Sequence, residues 1–68
     1  MTEEMYGKAK KFLETYRMIS ETAVFPSVRA YAAQKHNELL AAARKAQDTG
    51  DETELTEFLK SLEGISGD

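Results

Sequence analysis

Few side chains in this sequence are able to do acid–base or covalent work. His36 is the single histidine among 68 residues, and the serines that could act as nucleophiles are Ser20, Ser27, Ser61 and Ser66. Nucleophilic catalysis needs a base beside the nucleophile and a third group that orients the base. No motif surrounds any of these serines, and at an elbow or a chain end serine serves as a cap or a solvent contact. A helical metal site built on His36 would place a second ligand four residues away, where the chain has Leu40 and Ala32. His36 is therefore expected to be a half-exposed packing residue, and the chain is expected to be neither an enzyme nor a carrier of a metal or other cofactor. With no cysteine, disulfides and Cys-based zinc sites are excluded as staples.

The acidic stretch from Asp48 to Glu57 tests another chemistry. A calcium loop starting at Asp48 would put Gly50 at the third position, Thr53 at the glycine position and Leu59 where a bidentate acid belongs. The pattern fails. Gly50 instead suits the left-handed end of one helix, and Asp51 with Glu54 forms the acidic variant of a capping box for the next.

These residues sit on elements that the apolar spacing defines. Met5, Ala9, Phe12, Tyr16, Ile19 and Ala23 recur at steps of three and four, with Tyr6 and Leu13 on one flank, which predicts an amphipathic helix over 3–23. Thr2 is its expected N-cap, followed by Glu3 and Glu4 in the turn where the helix dipole favours acids. Phe25-Pro26 breaks that helix, and Pro26 or Ser27 opens a second over 27–47. Alanine recurs along this second helix, and Val28, Ala32, Leu39, Ala43 and Ala46 share a face, with Tyr31 and Ala42 beside them. Arg44 and Lys45 are expected in its last turn, complementing the dipole. A third helix over 52–63 carries Leu55, Phe58, Leu59 and Leu62 and stops at Gly64. Ile65 is expected to fold back there, leaving 65–68 as a frayed tail.

The expected fold is all-α: one domain over 1–68, a three-helix bundle made of a long antiparallel hairpin and a shorter third helix. In its Gly50-Asp51 turn the stretch from Ala43 to Leu62 resembles the hairpin of tetratricopeptide-type repeats. That resemblance implies two antiparallel helices; the large aromatic signature positions of the repeat are not matched.

Charge narrows the partner classes. The net charge is −3, distributed as 0 over residues 1–26, +3 over 27–47 and −6 over 48–68. In a helix-turn-helix reading the third helix would meet phosphates with Glu52, Glu54, Glu57 and Glu63 against Lys60, a like-charge approach. A nucleic-acid-associated regulator remains the alternative, with Lys8, Lys10, Lys11 and Arg17 or Arg29, Lys35, Arg44 and Lys45 as its footprint. The basic second and acidic third helix are expected to attract each other. No stretch approaches the roughly 18 apolar residues of a membrane span, and Met1 to Met5 do not open a secretory signal, so a cytoplasmic protein is expected.

Helix length places the partner surface. The third helix is too short to cover the hairpin from the Gly50 turn to the Pro26 elbow, so it should cover Met5, Ala9, Phe12, Leu39, Ala43 and Ala46 and leave the elbow open. Met18, Ile19, Phe25, Val28 and Tyr31 are the candidate partner-binding residues there, with Ala23 and Ala32 close by. An apolar patch on a chain short of core marks a protein interface, either with a second copy in a homodimer or with a larger protein.

Overall fold

Thr2 starts the first helix as its position predicts: its Oγ1 accepts a hydrogen bond from the Met5 amide at 3.2 Å, and Glu3 and Glu4 fill the first turn. The computed structural model describes the backbone of residues 2–66 and the side chains of residues 2–62. These residues form three helices, α1 (Glu3–Thr22), α2 (Pro26–Thr49) and α3 (Thr53–Ser66), joined by connections of three residues each. At 1.5 Å per residue the helices are about 30, 36 and 21 Å long. The fold is all-α, with α1 packed along α2 and the shorter α3 resting principally against α2.

Several boundaries differ from the expected 3–23, 27–47 and 52–63, each for a local reason. α1 ends at Thr22 because Ala23 is already extended, and its amide closes the last turn on the Ile19 carbonyl at 2.9 Å. α2 starts at Pro26, whose missing N–H falls where a helix start has no partner for it; Phe25 precedes it without a side-chain cap, so Ser27 is not the cap. At its other end α2 runs two residues beyond 47. The Thr49 hydroxyl donates to the Lys45 carbonyl at 2.7 Å and the Gly50 amide to Ala46 at 3.0 Å, so Arg44 and Lys45 lie before the last turn.

The third helix corrects two further expectations. Its start carries no reciprocal capping box: Asp51 Oδ1 accepts from the Thr53 amide at 3.1 Å, whereas Glu54 turns away to Lys45 of α2, 3.0 Å from its Nζ. Its end is not at Gly64, because the helix continues to Ser66. Backbone at 65 and 66 is thus helical rather than frayed, and the expected fold-back of Ile65, like residues 67 and 68, falls outside the described side chains and residues.

The core lies at the Gly50 end. Ala9 of α1, Leu39, Ala42 and Ala46 of α2, and Leu55 and Leu59 of α3 are buried together, with Met5, Phe12, Leu13, Ala43 and Phe58 packed around them. Leu39 and Leu55 are fully enclosed. Full burial of one such side chain stabilises by about 1.5–3 kcal/mol, so these two leucines anchor α3 to the hairpin. Three of the six core residues are alanines, which lets the helices approach closely with little side-chain entropy lost.

Candidate interaction surface

The open elbow follows directly from this arrangement. With α3 seated at the Gly50 end, nothing among the described residues covers the junction of α1 and α2, and its apolar side chains face solvent. Val24 is 83% exposed, Phe25 67%, Met18 58%, Tyr31 55% and Val28 41%. Phe25 does not fold over to close the bundle. Of the five candidates, four are exposed and Ile19 is half-buried; Ala23 is half-buried as well, and Ala32 is buried at 1%. Val24, the most exposed of all, was not among the candidates. It belongs to no helical stripe, and the signal for it is the brevity of the connection, since three residues leave no slack to tuck a side chain back.

The elbow is held by an arginine. α1 has no basic residue in its last turn, and the cation arrives from the next helix: Arg29 Nη1 donates to the carbonyls of Ala23 at 2.9 Å and Val24 at 3.2 Å. These charge-assisted bonds satisfy carbonyls beyond the helix end and pin the connection that displays Val24 and Phe25. Farther in, Tyr16 of α1 and Tyr31 of α2 sense each other across the seam. Burial raises the Tyr16 pKa above the usual 10.0, and the Tyr31 phenol adds to the shift. Lys35 lies 5.6 Å from the Tyr31 ring centroid and 5.8 Å from that of Phe58, tying α2 to α3 through its ammonium.

Most cations of the alternative phosphate-binding footprint are engaged within the chain. Lys8 is 3.6 Å from Glu4, Arg17 is 3.3 Å from Glu21, Lys35 is 3.7 Å from Glu38 and Lys45 is 3.0 Å from Glu54. Arg29 is committed to the elbow carbonyls. The Lys45–Glu54 pair is the expected attraction between basic α2 and acidic α3, and it raises the Lys45 pKa, first through its hydrogen bond and then through charge. Lys10, Lys11 and Arg44 make no ion pair among the described residues.

His36 is half-buried, with Nδ1 3.5 Å from Oδ1 of its neighbour Asn37. Ser20 donates to the Arg17 carbonyl of its own helix at 2.7 Å. Among the described residues no three His, Cys, Asp or Glu side chains converge as metal ligands do, and no helix is long and apolar enough to cross a membrane. Comparison with protein-family models, with curated proteins and with solved structures finds no match to this chain.

Proposed function

We propose that this chain is a small, non-catalytic cytoplasmic interaction module that works through its elbow, pairing with a second copy of itself. The observation that carries the reading is the exposure of Met18, Val24, Phe25, Val28 and Tyr31, five large apolar residues on and beside the α1–α2 junction. Self-pairing is favoured by the local charge. Arg17 and Glu21 neutralise each other, and Arg29 is turned onto backbone carbonyls, so an isologous contact brings no strong like charge together. Asp48, Asp51 and Glu52 stand at the opposite end of the hairpin, beside Gly50, where two elbow-paired copies keep them apart. A chain of 68 residues with a core of six small and medium side chains also gains stability from such pairing.

Light scattering across a concentration series tests this. The expected result is twice the chain mass at high concentration, and the monomer mass for Val24→Ser with Phe25→Ser under the same conditions. Both residues are exposed, so their substitution leaves the core intact, which unchanged helical circular dichroism verifies. A wild-type monomer at every concentration overturns self-pairing.

A nucleic-acid role has less support, since five of the eight basic residues named for it are occupied by intramolecular partners.

A further inference from the structure

The hairpin has two long faces, and α3 occupies one. On the other, α1 and α2 enclose an open groove of 270 Å³ floored by Leu13, Leu40 and Ala43 and closed at one end by Tyr6, which is 60% exposed. The spacing on each wall is helical: Tyr6, Lys10 and Leu13 on α1, and Leu40, Ala43 and Arg44 on α2. Two antiparallel helices thus present roughly two turns of apolar floor with one cation on each bank. Lys10 and Arg44 are exposed and make no ion pair among the described residues.

The occupied face shows what such a surface accepts. There α3 presents Leu55 and Leu59 to α2, and Glu54 meets Lys45 at 3.0 Å. Arg44 and Lys45 are neighbours in sequence, one lining the open groove and the other serving the occupied face. The same pairing of apolar floor and basic bank therefore recurs on the two sides of α2, satisfied by an acidic amphipathic helix on one side and unsatisfied on the other.

We infer that this second groove docks an acidic amphipathic helix of a partner protein, with leucine-type anchors at i, i+3 or i+4 and i+7 on the floor and carboxylates on Lys10 and Arg44. Charge on both banks selects against a basic helix. The apolar floor between the cations distinguishes the site from a phosphate track, which runs continuous positive charge along a backbone. This surface is separate from the elbow and does not depend on self-pairing.

The probe is a labelled synthetic amphipathic peptide of about the length of α3, 14 residues, with leucines at that spacing and glutamates flanking them. A counterpart carries lysines in place of the glutamates, and a short DNA duplex serves as a third ligand. Binding to the intact chain is followed by fluorescence anisotropy and by amide chemical-shift mapping. The expected result is saturable binding of the acidic peptide with shifts centred on Tyr6, Leu13, Leu40 and Ala43, and binding of the lysine peptide weaker by at least about tenfold. Lys10→Glu with Arg44→Glu should reverse that preference without changing the thermal unfolding midpoint. The inference is overturned by absence of binding, by shifts centred on the elbow, by indifference to the charge reversal, or by duplex DNA outcompeting the peptide. Phe25→Ser leaves peptide binding unchanged, so failure at the elbow and failure at the groove are read separately.

Discussion

Gly50 carries the one positive φ among the described residues, +78°, and a Cβ built there would meet nothing within 4 Å. The demand on this position is therefore conformational rather than spatial. Gly50→Ala is expected to destabilise the chain by about 1 kcal/mol, and Gly50→Asn by less, in urea unfolding followed by circular dichroism. Core residues obey a different rule. Leu39 and Leu55 are each fully enclosed, and truncation of either to alanine should cost about 2–5 kcal/mol, enough to unfold much of a domain this small. Titration adds two signed effects. The Thr53 amide, then the Thr53 side chain and Lys45, hold the Asp51 carboxyl below its usual 3.8, so its contribution is present above pH 3.8 and lost as pH falls through the lower folded value. Asp51→Ala should show a shallower loss of stability on acidification than the wild type. At the alkaline end the Tyr16 pKa lies above 10.0, so the folded state loses stability as pH rises through that window, and Tyr16→Phe should lose less. Residue identity made Gly50 and Asp51 legible in the sequence, because left-handed backbone and N-terminal amides have few suitable side chains. The raised Tyr16 was not legible, since it depends on which tyrosine of another helix stands opposite.

The helices themselves were readable because a period of three to four apolar residues, punctuated by Thr2, Pro26 and Gly50, is a local property. Their ends were less readable, because termini are settled by partners from elsewhere. Glu54 abandons its capping box for Lys45, and Arg29, named as part of a basic footprint, turns instead onto the Ala23 and Val24 carbonyls just past the end of α1. Arg29→Ala removes two charge-assisted bonds at a part-buried site and should cost about 1–2 kcal/mol, with the loss concentrated in amide protection around Ile19 to Val24. Arg29→Lys should recover part of the loss, since both bonds leave the single Nη1 and an ammonium can also donate to two carbonyls if its shorter stem reaches them. The division between α1–α2 and α3 carries its own expectation. α3 is the shortest helix and rests principally on one neighbour, so its amides should exchange first, at a free energy below that of the hairpin. Uniform protection across all three helices would contradict this.

Across the molecule, the open elbow was legible from helix length alone: a third helix of about 21 Å cannot cover a second of about 36 Å. The second groove was not, because Leu13 and Ala43 look like core in a periodicity reading and Leu40 falls outside the apolar stripe. On the α3 side Ala42 is buried in the core, whereas Ala43, partly buried, also lines the groove. The two surfaces differ in chemistry, one apolar and balanced in charge, the other apolar between cations, so salt should separate them. Peptide capture by the groove should weaken as ionic strength rises, while self-association through the elbow should be insensitive or slightly strengthened. The three-residue connections between the helices have a further consequence in time. Nearly every stabilising contact joins neighbouring elements, so little loop-closure entropy stands between the unfolded chain and its first native pairings. The isolated chain should fold within microseconds to milliseconds, with α1 and α2 zippering outward from the Arg29-pinned bend.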